Sequence, residues 1–258
     1  MNLSEKTSIF YKLLKKLDVE RFKILCEKVD SFVLITEHMK DILKVNKRPY
    51  VVVEGVVNNK NYSHENQKND KIGEEKLKRI VYTGTLNKRF GVINLIKAFH
   101  EIDDPNVVLE MCGRGDSEAL INEYAKKDNR IHYLGQITNE ESISLQRNAT
   151  VLVNPRPDDE DFTRYSFPSK NMEYLLSSNP VIAFKLKGIP DEYDDYMFYI
   201  ESNTNESMKD KIIEVLNLSH QERYLFGNRA KKFVLDNKNI NKATLKIYNM
   251  IESNLKIG

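Results

Sequence analysis

The chain has 258 residues, 40% hydrophobic and 30% charged, which fits one large or two ordinary globular domains and excludes a disordered polymer. Forty Lys and Arg against 38 Asp and Glu leave a net charge of +2, without the basic excess of a dedicated nucleic-acid binder, so no nucleic acid is expected as partner. Cys26 and Cys112 are the only cysteines, and the five histidines show no ligand spacing, so neither a disulfide scaffold nor a metal site is expected.

Residues 8–29 read as an amphipathic helix, with Phe10, Leu13, Leu14 and Leu17 on one stripe and Lys12, Lys15 and Lys16 opposite. Such a stripe either packs on the protein's own core or rests on an anionic membrane surface. No apolar run reaches the ~18 residues of a membrane span, and no signal-peptide pattern opens the chain. The expectation is a cytoplasmic protein, with peripheral attachment at the inner face of the membrane as the alternative.

Ser31–Thr36 reads as a strand, Glu37–Val45 as a helix and Pro49–Val53 as a strand. Residues 58–76 are polar without apolar periodicity and read as a linker. The domain expectation is therefore a remnant of one domain over 1–57, the linker, and a second domain with C-terminal helices over 77–258.

From Arg79 onward the pattern becomes regular. Strand-like runs are Arg79–Tyr82, Val107–Met111, Ile131–Leu134, Thr150–Asn154, Val181–Phe184 and Met197–Ile200. Helical segments between them cover Val92–Glu101, Ser117–Lys127, Glu140–Asn148 and Ser169–Ser177, and about three more follow Asn205. Strands alternating with helices of this length predict βαβ crossovers, hence an α/β fold with a Rossmann-like parallel sheet covered on both faces.

The first three strands end in glycine: Gly84, Gly113 and Gly135. Glycine at the carboxyl edge lets backbone approach a ligand, and open α/β sheets bind ligands at that edge. Backbone N–H groups near Gly84 and Thr85 suit a phosphate, with Lys88 or Arg89 to neutralise it; the plain alternative is an ordinary βα turn. Cys112-Gly113-Arg114-Gly115-Asp116 is a shortened Gly-x-Gly pattern or a tight turn with Asp116 capping the next helix. Pro155 and Pro157 stiffen the loop that projects Arg156, whose fork suits phosphate or carboxylate. The acidic run 158–161 suits Mg²⁺ or a solvated loop, the latter being the more common.

Residues Ser166 to Ile182 carry the densest pattern. Pro168 suits the first helical position, leaving the N–H groups of Ser169 and Lys170 free for an anion. Glu173 lies one turn on and faces the same side as Lys170. A cation beside a carboxylate that accepts hydroxyl protons suits a nucleotide-sugar; an amphipathic helix with a solvated Lys is the alternative.

In register, YTGTLNKRFGVINLIKAF, VVLEMCGRGD, RIHYLGQIT, ATVLVNPR and SFPSKNMEYLLSSNPVIAF resemble the C-terminal, donor-binding domain of GT-B glycosyltransferases, family 4, the group 1 glycosyltransferases. That resemblance spans about Ile80 to Phe233. It implies a domain that binds a UDP- or GDP-linked sugar and transfers the sugar to an acceptor hydroxyl, with retention and without a bound metal or other cofactor. It implies that Glu173 accepts from the ribose hydroxyls and that Ile137 lies beside the base. Gly84, Thr85, Gly113, Lys88, Arg89, Ser166, Phe167 and Ser169 complete the expected donor-binding set, with Lys170 and Arg156 as the cations that take the leaving diphosphate. The family's earlier Glu falls at Tyr165, and the basic residue before the second Gly of the first loop falls at Phe90.

Ser-Phe-Pro-Ser-Lys further resembles capsule or cell-wall polysaccharide transferases, implying a glycan or lipid-linked acceptor. Residues 1–57 resemble only the end of the acceptor domain. On the order of 100 residues of that domain are then outside this chain. Exposed apolar faces would follow, to be covered by a partner chain or in a homodimer. A non-catalytic nucleotide-sugar binding module and a sugar-nucleotide epimerase are the competing readings.

Overall fold

The computed structural model describes residues 9–45, 47–57 and 77–255, without the side chains of residues 9, 10 and 12. The expected linker at 58–76 lies outside the described residues.

Six parallel strands form the main sheet: β3 (Lys78–Thr83), β4 (Val107–Cys112), β5 (Ile131–Tyr133), β6 (Val151–Asn154), β7 (Val181–Phe184) and β8 (Phe198–Ile200). Their spatial order is β5-β4-β3-β6-β7-β8. The chain starts in the middle, builds outward to β5, then returns to the other side of β3 with β6, where Ile80 pairs with Val151. This reversal leaves a crevice outside the carboxyl ends of β3 and β6, the place where such sheets bind ligands.

The crossovers are α3 (Val92–His100), α4 (Glu118–Lys127), α5 (Asn139–Arg147) and α6 (Ser169–Leu175). β7 reaches β8 through a 3₁₀ turn, Asp191–Tyr196. Strands β4, β6 and β7 are buried along their whole length, which is why they read as near-continuous apolar runs. On α3, Val92, Ile93, Leu95, Ile96, Ala98 and Phe99 are buried against the sheet, each large side chain contributing about 1.5–3 kcal/mol. Thr138 and Glu141 close a capping box on α5. Three helices finish the chain: α7 (Asn205–Leu216), α8 (His220–Asn237) and α9 (Ile240–Leu255).

The N-terminal part holds α1 (Ile9–Cys26), α2 (Met39–Ile42) and a two-stranded parallel sheet, β1 (Phe32–Leu34) with β2 (Tyr50–Val52). Its own small core is Cys26, Phe32, Leu34 and Val45. The helix expected over Glu37–Val45 shrinks to the single turn α2, since the segment has too few apolar neighbours to propagate further. The stripe on α1 does not pack on a core of its own: Leu13 and Leu17 are at least half exposed, as are Leu25 and, on β1, Val33. A two-stranded sheet is marginal by itself. Here it is held by Thr36 Oγ1, which donates to the Arg164 carbonyl at 3.0 Å, and by Val57 N, which donates to the Lys238 carbonyl at 2.8 Å. The Lys238 ammonium is buried between the carboxylates of Glu54 and Glu192, and the Tyr193 hydroxyl donates to Glu54 at 2.9 Å.

Candidate active site

The three glycines that end β3, β4 and β5 build a stepped edge. Gly84 N donates to the Cys112 carbonyl at 3.0 Å and Gly113 N to the Gly135 carbonyl at 2.8 Å. Gly113 has φ +132°, and a Cβ there would sit 1.8 Å from the Gly84 carbonyl oxygen, so the two loops touch backbone to backbone. The Gly84 N–H is therefore committed to Cys112; what Gly84 offers a ligand is close approach rather than the free donor expected from the sequence.

Above this edge lies a cleft of about 430 Å³, bounded by Thr83–Thr85, Cys112–Arg114, Gln136–Asn139, Ser142 and Lys170. That volume falls within the ~300–1,000 Å³ of small-molecule sites. Burial pushes the Cys112 thiol up to about 11, with Lys170 opposing, so it stays protonated at neutral pH and is no nucleophile.

Glu173 is gripped at the cleft. Lys170 Nζ donates to its two oxygens at 2.9 and 2.8 Å, the i, i+3 spacing expected on one face of α6. From α5, Gln146 Nε2 reaches Glu173 Oε1 at 2.5 Å and Thr83 Oγ1 at 2.9 Å. Ser142, one turn before Gln146 on α5, lies 3.1 Å from the same nitrogen. The carboxylate is thus oriented by Lys170 on its own helix and by Gln146 on α5, which Thr83 ties in turn to the end of β3. Pro168 stands one residue earlier than expected, capping α6 with ψ 101° instead of opening it.

On the far side of Ser166 stands a second basic group. Arg156 is half-buried, and its Nη2 donates to Ser166 Oγ at 2.9 Å. Its guanidinium lies 4.7 Å from the Phe162 ring and 5.6 Å from that of Phe90. Arg89 stacks on the same two rings and comes within 3.8 Å of Glu160. Burial first, then the charge of Arg89, lower the pKa of Arg156 from its ordinary value.

Of the residues named from the sequence, Gly84, Thr85, Gly113, Ile137 and Lys170 converge on the cleft, with Glu173 joined through Lys170. Lys88, Arg89, Arg156, Ser166 and Ser169 do not line it. Phe167 is a core residue, its ring 5.2 Å from that of Tyr193. Asp116 does not cap α4; Ser117 holds that position, and Asp116 accepts from Lys88 N at 2.8 Å. The acids of the 158–161 loop have local partners: Asp158 with Thr163, Asp159 with Asn203, Glu160 with Arg89 and Asp161 with Arg164. Gln146, Ser142 and Arg114 escaped sequence reading. The only hint was the i, i+4 spacing of Ser142 and Gln146, two polar side chains on the helix face that turns inward.

A family model described as Glycosyl transferases group 1 matches residues 63–233. The chain belongs to the group 1 glycosyltransferases. Known structures of this kind share its fold at low sequence identity. A TarM variant from S. aureus, in complex with fondaparinux, alpha-GlcNAc-glycerol and UDP, is 16% identical with TM-score 0.68, over 97% of this chain and 48% of that one. Sucrose-phosphate synthase from Thermosynechococcus elongatus is 17% identical with TM-score 0.71, over 94% and 63%. HepE from Anabaena, in complex with UDP and glucose, is 13% identical with TM-score 0.68, over 92% and 67%. No curated protein matches the sequence. The chain spans about half the length of TarM and under two thirds of the synthase. The six-stranded parallel sheet with its helices has the Rossmann-like architecture of the GT-B fold.

Proposed function

We propose that residues 77–258 bind a UDP- or GDP-linked sugar and transfer the sugar to a hydroxyl of a glycan or lipid-linked acceptor, in capsule or cell-wall polysaccharide synthesis. The observation that carries this reading is Glu173, an oriented carboxylate paired with Lys170, a cation that lines a cleft shared with the glycines Gly84 and Gly113. When the nucleotide enters, the ribose hydroxyls take Lys170's place as donors to Glu173, and Lys170 turns to the diphosphate. As the sugar C1–O bond to the diphosphate breaks, the electron pair leaves on the diphosphate oxygen, where Lys170 stabilises it. The acceptor oxygen bonds C1, and its proton passes to the leaving diphosphate oxygen. Arg156, bonded to Ser166 outside the residues that line the cleft, is the further cation. Transfer with retention and without a metal is carried over from the family resemblance.

Residues 1–57 are read as the end of an acceptor domain. Their exposed Leu13, Leu17, Leu25 and Val33 favour completion by further protein, a partner chain or a second copy, and the lysines of α1 also suit an anionic membrane face. Among the described residues no helix is long and apolar enough to cross a membrane. Buried, unbridged Cys26 and Cys112 accord with the cytoplasm.

The second reading, a nucleotide-sugar binding module without turnover, is favoured by the same exposed apolar faces. Release of free sugar or UDP from a UDP-sugar by the 258-residue chain supports the enzyme. Saturable binding with no turnover, even with membrane-extracted acceptor added, supports the module.

A further inference from the structure

We propose that the sugar carried by the donor is anionic, a hexuronic acid or similar carboxylate-bearing sugar, held by Arg156 and Arg89. The inference rests on the donor reading above and names its substrate class.

Two guanidinium groups lie 4.7 and 4.5 Å from the same Phe162 ring, so they are close neighbours of like charge. The nearest acid is Glu160, 3.8 Å from Arg89 and half turned to solvent. Arg156 has a hydroxyl, Ser166, for its Nη2. Its Nε is buried and has no hydrogen-bond partner among the described residues. A half-buried guanidinium with an unmet donor beside a second cation is costly unless an anion joins it. The planar fork with its free Nε matches a carboxylate.

Position selects which anion. Along α6 and the loop before it the contacts run in order: Glu173 to Lys170 at 2.8 Å, then Ser166 to Arg156 at 2.9 Å. Arg156 does not line the cleft, but it bonds Ser166, four residues before Lys170 on the segment that enters α6, so with ribose at Glu173 and diphosphate at Lys170 the sugar is the part of the donor left to extend toward it. Its aromatic walls, Phe90 and Phe162, keep the fork rigid.

The test compares binding of UDP-glucuronate, UDP-galacturonate, UDP-glucose and UDP to the full chain by calorimetry, with the GDP-mannuronate and GDP-mannose pair alongside. At least tenfold tighter binding of the acidic sugar than of its neutral counterpart is expected. Arg156→Met, which keeps a long apolar stem between the rings, is expected to bring that ratio to about one. Arg89→Gln, at an exposed position, is expected to lower the ratio partway and serves if Arg156→Met does not fold. Equal affinity for acidic and neutral sugars in the native chain overturns the inference while leaving the donor reading intact. A loss in Arg156→Met that is equal for UDP, acidic and neutral donors also overturns it, since the arginine then faces the diphosphate. No binding of either nucleotide series overturns the donor reading and this inference together.

Discussion

Tyr174 and Thr83 exchange two hydrogen bonds: the tyrosine hydroxyl donates to the Thr83 carbonyl at 2.9 Å and accepts from the Thr83 N–H at 2.8 Å. Tyr174 is fully buried, and this double bond fastens α6, which carries Lys170 and Glu173, to the last residue of β3. Tyr174→Phe keeps the ring and strips both partners from a buried peptide. A loss of about 1–3 kcal/mol of unfolding free energy is expected, read as a lower urea midpoint with unchanged slope. An unchanged midpoint would mean that water or a shift of the loop replaces the hydroxyl without cost.

Gln146 acts on the site through Glu173. Gln146→Leu conserves size while removing the neutral donor 2.5 Å from Glu173 Oε1. Nucleotide affinity is expected to fall by about 1 kcal/mol, a factor of about five, because the carboxylate is no longer held from the α5 side. Titration of the folded variant checks it; native affinity would show that Lys170 alone orients Glu173.

Gly113 leaves no room for a side chain. With φ +132° and the Gly84 carbonyl 1.8 Å from the position of a Cβ, Gly113→Ala forces the two strand-end loops apart. Strain of this kind costs about 1–3 kcal/mol before the clash is counted. Thermal unfolding is expected to drop by several degrees and nucleotide binding to weaken together. A variant with native melting temperature would contradict the contact.

Asp128 gives the acid response a named source. The hydrogen-bonded guanidinium of Arg130 outweighs burial and, with the Arg130 N–H and the His100 ring, holds the Asp128 carboxyl well below the usual carboxylate range. A carboxyl depressed in the folded state contributes stability that is complete above its unfolded value of about 3.9 and is lost as pH falls toward the folded value. Between about pH 5 and pH 3, Asp128→Asn is therefore expected to lose less stability than the native chain. Parallel urea midpoints for the two proteins over that window would remove Asp128 as the source.

The main sheet was legible because its strands are parallel and buried on both faces, so Val107–Met111, Thr150–Asn154 and Val181–Phe184 stand out as near-continuous apolar runs between helical segments, with Glu110 the one charged residue in them. The strand-end glycines were legible as points of close backbone approach: Gly113 is required by contact with Gly84. Lys170 and Glu173 were legible through helical spacing alone. Legibility failed where the reason is tertiary. Gln146 lies 27 positions before Glu173, and only the return of β6 beside β3 brings α5 over α6. Phe167 sits between Ser166 and Pro168, yet its neighbour is Tyr193, a core partner that no local pattern announces. Asp116 looked like a helix cap because the sequence hides Lys88, 28 positions away, whose N–H it accepts.

The central claim, that Glu173 and its cleft bind a nucleoside diphosphate, is tested most directly by calorimetric titration of the full chain and of Glu173→Ala with UDP, GDP and ADP. Saturable binding of UDP or GDP is expected, weakened in the variant by about 1–3 kcal/mol through the lost charged hydrogen bonds to ribose. No binding of any of the three by the folded chain, or equal affinity in a folded Glu173→Ala, would contradict the account.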